Sequence, residues 1–345
     1  MSVSGTATSN VAFAALSEKG FISLWDTRLK NKCYTTISSQ RLTERRAEED
    51  SSELLYLPEQ HRAVRLWGSA LHVVDTRKTM DVLSTYHHTA ELTSFMANFP
   101  CSAATTALPV IDESGAVLSI GLSDGAPCAA MPTELFGVPM AVADARRGFG
   151  ALSNLCCGFG AVGGPQRTVF TLAMDAQGAL YGPDGAARPF TLEEEMSATN
   201  GMVVNPALPT CCAFQRAPSS RVAVGRANGV YDVVDVEADG AVVTQLSAPG
   251  HAVNGLCHLS WSPAGLLTVS LCGELTAWDV EGFLAEDEDE QEAGALPAVK
   301  AALSHRGVTG SAHAVMNCGT QLGDTSRYIL GDSNGVVALC TVDTA

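Results

Sequence analysis

Basic residues are scarce in this 345-residue chain: 21 Lys and Arg stand against 37 Asp and Glu, a formal net charge of -16. A surface so charged repels phosphate backbones and anionic headgroups, so neither nucleic acid nor a membrane surface is an expected partner, whereas a basic protein surface is compatible. Long apolar runs are missing as well. No stretch approaches the ~18 uninterrupted apolar residues of a membrane span, and the opening MSVSGTATSN has neither the charged nor the apolar region of a secretory signal. The cytosol or nucleus is the expected compartment. Without export, the eleven cysteines read as reduced thiols. Two pairs are adjacent, Cys156-Cys157 and Cys211-Cys212. Neighbours on a strand face opposite ways, whereas zinc sites space thiolates by about two to four residues, so neither pair reads as a metal site.

Signatures of catalysis are also wanting. There is no GxxxxGK[ST] loop, no HExxH and no GxSxG. CGFGAVGG matches the dinucleotide fingerprint in form through Gly158, Gly160 and Gly163, but Pro165 and the strand-like RTVFTL follow where a helix N-terminus would have to meet the pyrophosphate. His87-His88 reads as a surface turn, because adjacent imidazoles on extended backbone diverge. No catalytic residue, cofactor or metal is expected. Helical periodicity is confined to QRLTERRAEEDSS (40–52), whose mixed charges fit a solvated loop or a short helix between the first two repeats. A second charged insertion (283–300) carries EDEDE and reads the same way.

What is present is repetition. With 46% hydrophobic but only 6% aromatic residues, the chain has ample aliphatic material for a core. FISLWDTR follows VAFAAL and the turn SEKG, two short apolar runs joined by a glycine-containing turn, which is a hairpin signal. The unit recurs at 63–77, 106–122, 221–237, 266–282 and 327–343, with a degraded copy at GGPQRTVFTLAMD (163–175). Taking Trp25 as a slot five residues past the turn glycine, its equivalents are Val74, Ile120, Leu172, Val234, Trp278 and Cys340. Strand-like segments such as CYTTISS, ELTSFMANF, PTCCAFQ, AVVTQL, VNGLCHLSW and AHAVMNC flank these hairpins. Seven copies at about 44 to 62 residues fit a propeller of four-stranded blades. The expected fold is all-β, one seven-bladed propeller domain over 1–345. The ten residues ahead of Val11 can supply one strand where a complete ring needs two, so the ring is expected to close imperfectly at the N-terminal seam, or the true start to lie upstream.

Residues 249–282, PGHAVNGLCHLSWSPAGLLTVSLCGELTAWDVEG, resemble a WD repeat: Gly250-His251 open it, WSPAG forms the turn between its first two strands, and Trp278-Asp279 end the third. The resemblance implies a WD-repeat β-propeller in which His251, Thr268 and Trp278 form a hydrogen-bonded chain pinning the blade, with Cys272 in place of the usual aspartate. Buried imidazole and indole N–H groups need such partners, which makes His251 a structural residue. More narrowly, the chain is similar to the family of WD repeat-containing protein fifty-three. The shared features are VVDTR closing the second blade, Asn205 to Leu208 ahead of a late blade, and the charged insertion before the last.

Arg28 and Arg77 each follow the terminal Asp of a third strand by two residues, in consecutive repeats. Two readings stand side by side: Asp26 with Arg28 and Asp75 with Arg77 brace the turns, or the arginines meet a partner. WD-repeat substrate receptors of cullin-four ubiquitin ligases dock on a triple-propeller adaptor through a WDxR or DxR motif here. The resemblance therefore implies partner-binding roles for Trp25, Asp26, Arg28, Asp75 and Arg77, and a non-enzymatic interaction scaffold. The alternative is an enzyme or small-ligand-binding propeller using the central channel, which would need acidic, His or Arg residues at the channel-facing strand starts.

Overall fold

The structure is a computed structural model that describes residues 2–5, 12–17, 21–29, 33–37, 51–77, 82–96, 99, 101–113, 117–122, 130–131, 133–135, 138–140, 159–163, 168–173, 176–181, 187–192, 208–215, 220–236, 242–249, 255–262, 265–278, 280, 301–305, 316–322 and 327–341. These residues are overwhelmingly strand, gathered into small antiparallel sheets. Sheet 1 holds β1 (Ser2–Gly5), β2 (Ala12–Leu16), β3 (Ile22–Asp26) and β4 (Cys33–Ile37); sheet 2 holds β5 (Ser51–Leu57), β6 (Arg62–Trp67), β7 (Ala70–Asp75) and β8 (Val82–His87). Sheet 3 holds β9 (Leu92–Phe95), β10 (Ala107–Asp112), β11 (Val117–Gly121) and β12 (Ala130–Met131), and β13 (Thr133–Leu135) with β14 (Val138–Met140) forms a separate ribbon. Sheet 4 holds β15 (Phe159–Gly163), β16 (Thr168–Leu172), β17 (Gln177–Tyr181) and β18 (Ala187–Thr191); sheet 5 holds β19 (Pro209–Phe214), β20 (Arg221–Arg226), β21 (Val230–Val236) and β22 (Val242–Pro249). Sheet 6 holds β23 (Leu256–Ser262), β24 (Gly265–Ser270), β25 (Leu275–Trp278) and β26 (Ala301–His305). Sheet 7 has three strands among the described residues, β27 (Met316–Gln321), β28 (Arg327–Asp332) and β29 (Val337–Thr341).

Every sheet is a meander whose strands pair in chain order. The first strands stand side by side in succession: β1 neighbours β5, β5 neighbours β9, and so on through β15, β19, β23 and β27, with β27 returning to β1. Hydrophobic burial follows the same circuit. Seven apolar clusters each fill the gap between one sheet and the next, such as Leu66, Leu71 and Val73 of sheet 2 against Leu92, Leu108 and Ile120 of sheet 3. The seventh cluster joins the last sheet to the first through Leu322 and Ile329 against Phe13 and Ala15. Middle strands such as β11 are buried on both faces, as strands packed between neighbouring sheets must be. At about 1.5 to 3 kcal/mol per buried Val, Leu, Ile or Phe side chain, these gaps supply the main cohesion. Among the described residues the cluster at the seam holds four buried side chains. The arrangement is compatible with a β-propeller.

The hairpins between second and third strands owe their shape to one local rule. In sheets 5, 6 and 7 the turn residue at positive φ is glycine, Gly229 at 85°, Gly273 at 78° and Gly335 at 81°. Each donates its N–H back to the last residue of the second strand. Only a residue without Cβ adopts this geometry freely. Sheet 4 makes the same turn with Ala176, at φ 63°, its N–H bonded to the Ala173 carbonyl. This hairpin therefore spans β16 and β17, one strand later than the expected copy at 163–175. The slot equivalent to Trp25 is Tyr181, opposite Val169, as Trp25 is opposite Phe13; Leu172 belongs to the second strand. Without a turn glycine, the sequence ruler had slipped.

Candidate functional site

The two Asp-Thr-Arg stretches fold into the same device. β3 ends at Asp26, whose Oδ1 accepts from the Arg28 backbone N–H at 2.9 Å and from Nε at 2.9 Å, while Oδ2 accepts from Nε at 3.1 Å and from Nη2 at 2.5 Å. β7 ends at Asp75, which takes the Arg77 backbone N–H at 2.8 Å, Nε at 3.0 and 3.1 Å and Nη2 at 2.6 Å. A carboxylate holding a backbone N–H and a guanidinium two residues on closes a tight loop, and the planar fork fixes the arginine's direction. The Arg28 side-chain hydrogen bonds, seconded by its backbone N–H, hold the Asp26 carboxyl down at about 2; Asp75 is lowered to about 2 chiefly by the same bonds from Arg77. Both pairs are ionised throughout the physiological range.

The carboxylates are sheltered and the arginines are not: 14% and 16% of the aspartate side chains are exposed, against 71% and 60% of the Arg28 and Arg77 side chains. Each fork is braced from beneath by its aspartate and presented outward at the same topological place, in sheets whose first strands lie side by side. Leu29, directly after Arg28, is exposed too. An ion pair whose cation is in water is worth little to stability, so the forks do little to hold the fold.

Trp25, next to Asp26 on β3, is stacked on Phe13 with centroids 5.8 Å apart. Its indole Nε1 is buried without a hydrogen-bond partner among the described residues. Trp278, in the equivalent slot of sheet 6, donates its indole N–H to Thr268 Oγ1 at 2.8 Å. Thr268 lies two residues beyond Leu266, which is opposite Trp278; two residues beyond Phe13, opposite Trp25, stands Ala15. That one substitution accounts for the orphaned indole. Cys272 Sγ sits 3.0 Å from Ser270 Oγ at the sheet 6 turn. His251 and Asp279 lie outside the described residues, as do 40–50, 283–300, Cys156 and Cys157.

Other polar residues join neighbouring sheets. His88 is half-buried rather than a bare surface turn: its Nδ1 is 3.2 Å from the Tyr86 hydroxyl of sheet 2 and its Nε2 is 3.1 Å from Oδ2 of the buried Asp112 in sheet 3. In the sequence His88 stands four residues ahead of β9 and His251 five residues ahead of β23, a loose parallel between the two repeats. Thr210 donates to the Leu256 carbonyl at 2.6 Å, and Trp261 Nε1 to the Ala213 carbonyl at 3.0 Å, both between sheets 5 and 6. Glu53 on β5 accepts from the Phe95 backbone N–H of β9, and burial pushes its carboxyl up to about 7. Cys211 and Cys212 lie part-buried on β19; burial raises both thiols, Cys211 to about 12, so neither is a reactive thiolate. Phe159 to Gly163 form a strand paired antiparallel to β16, so the glycines of the formal dinucleotide motif lead into no helix. No cluster of three or more His, Cys, Asp or Glu suited to a metal occurs among the described residues, and no helix there is long and apolar enough to cross a membrane. Compared with models of known protein families and with curated proteins, the chain matches none.

Proposed function

We propose that the chain is a seven-bladed WD-repeat propeller serving as a non-enzymatic interaction scaffold, and that it docks through Arg28 and Arg77 on the triple-propeller adaptor of cullin-four ubiquitin ligases as a substrate receptor. The circuit of seven sheets and seven cores supports the ring. The duplicated fork carries the docking: two outward guanidiniums, each aimed by its own carboxylate, at matching ends of consecutive sheets. A carboxylate that aims an arginine without burying it serves recognition better than stability, because the ion pair itself is nearly worthless in water. Arginine anchors that become desolvated at an interface are among the strongest contributors to binding.

The test is affinity purification of the full chain with detection of the adaptor. Wild type is expected to retrieve it, and the double variant Arg28→Ala with Arg77→Ala to lose it while melting within about 2 °C of wild type, given the small worth of exposed pairs. Wild type that retrieves no adaptor refutes the ligase reading. A double variant that unfolds shows the forks to be turn braces.

A further inference from the structure

Among the described residues the outer edge of sheet 7 differs from the other six. Six sheets end in a fourth strand paired antiparallel to the third; sheet 7 ends at β29 among the described residues. The third strands β3, β7, β11, β17, β21 and β25 each bury two or more residues, whereas β29 buries none, and Leu339 at its centre is 45% exposed. Val336, just before β29, is exposed as well. The direction of its peptide groups is fixed. Asp332 N–H bonds to the Val336 carbonyl, and the ladder pairs Leu330 with Ala338 and Tyr328 with Cys340. Because antiparallel residues alternate in which neighbour they face, Ala338 and Cys340 bond inward, and the N–H and C=O groups of Val337, Leu339 and Thr341 face the open side. An edge of this kind is a template for another strand.

We propose that β29 is a strand-addition site that takes an extended, neutral-to-basic segment of a partner polypeptide, antiparallel to β29, as the fourth strand of sheet 7. The six fourth strands of this chain describe that occupant. CYTTI, VLSTYH, AM, ARPFT, VVTQLSAP and AALSH contain no Asp or Glu, although the chain has 37 acidic residues in 345. A segment seated there meets a chain of net charge -16, which disfavours an acidic strand or a second copy. Main-chain bonds at Val337, Leu339 and Thr341 give affinity, and an apolar side chain opposite Leu339 gives register. The site is independent of the arginine forks, so it stands or falls apart from the ligase reading.

The probe is a fluorescent peptide, VLSTYH between two lysines, titrated against the full chain. Two further versions carry N-methyl groups on alternate amides, one on the odd and one on the even positions of the strand. Strand addition uses amides on one side only, so one version is expected to bind at least about tenfold more weakly and the other within about twofold of the parent. Hydrogen exchange at Val337, Leu339 and Thr341 is expected to be fast in the free chain and slowed by the peptide. Leu339→Pro removes an N–H that faces the open side, leaves the ladder to β28 intact, and is expected to abolish binding. No binding up to about 1 mM, which is weaker than strand addition to a preformed edge should be, overturns the proposal. Equal affinities of the two methylated peptides, or undiminished binding to folded Leu339→Pro, also overturn it. So do amides already protected in the free chain, which would show the edge covered by the chain itself, or by a second copy if sedimentation finds a dimer. Should Leu339→Pro fail to fold, the methylated pair still decides.

Discussion

Thr268→Val isolates what a single hydroxyl does for one sheet. Valine keeps the branched shape and the buried volume of Thr268 but removes the Oγ1 that accepts the Trp278 indole N–H at 2.8 Å. The contact of that hydroxyl with the Thr276 carbonyl, at 3.5 Å, is too long to count for much. The indole N–H then loses that acceptor, as at Trp25, where Ala15 offers none. Leaving a buried donor unsatisfied costs about 1 to 3 kcal/mol, so urea unfolding should show that loss as a lower midpoint at an unchanged slope. The reciprocal experiment is Ala15→Ser, which places a hydroxyl at the position relative to Trp25 that Thr268 holds relative to Trp278. It should gain about 0.5 to 1.5 kcal/mol, the net worth of one hydrogen bond. A Thr268→Val variant within about 0.5 kcal/mol of wild type would refute the reasoning, since that is the scatter of substitutions that touch nothing important.

Arg226 and Asp232 form a buried ion pair at 2.6 Å inside sheet 5, with 4% and 0% of their side chains exposed. Arg226→Met should cost about 3 to 5 kcal/mol by stranding the carboxylate, whereas Arg226→Met with Asp232→Leu should recover most of it; equal losses would show the pair is not the cause. Glu53 tests the pH response. Its folded carboxyl ionises near 7 and an unfolded one near 4.5, so between these values the folded state holds a proton the unfolded state has released, and stability falls as pH rises through that window. Glu53→Gln keeps an oxygen for the Phe95 N–H and should therefore stabilise more at pH 8 than at pH 4, read by thermal melts in parallel; a pH-independent difference would contradict the burial of that carboxyl. The Asp26 and Asp75 carboxylates should leave stability untouched down to about pH 4, because both ionise near 2 in the folded chain and near 3.8 when unfolded, so their contribution is lost only as pH falls below that value.

Much of the architecture is written locally. Alternating apolar runs broken by turn glycines mark the hairpins, and every flanking segment singled out from the sequence overlaps a strand, from Cys33–Ile37 through Met316–Gln321. The exception is instructive. In sheet 4 an alanine takes the left-handed turn position, so a ruler built on glycine lands one strand early and mistakes Leu172 for Tyr181. Local pattern reports what the chain prefers, and Ala176 does not prefer its conformation; packing of Phe170, Leu172 and Leu180 against Phe214 holds it there.

The sequence by itself determined that this is an all-β chain of seven similar hairpins, because strand periodicity and turn chemistry are properties of a few consecutive residues. It also placed Arg28 and Arg77 at equivalent ends of consecutive units. Only the tertiary structure decided that each arginine is aimed by its own aspartate, that Trp25 lacks the Thr partner Trp278 has, that His88 ties sheet 2 to sheet 3, and that β29 pairs on one side only among the described residues. These depend on which strands lie beside one another across long stretches of chain, and no periodicity in a single segment encodes its neighbour.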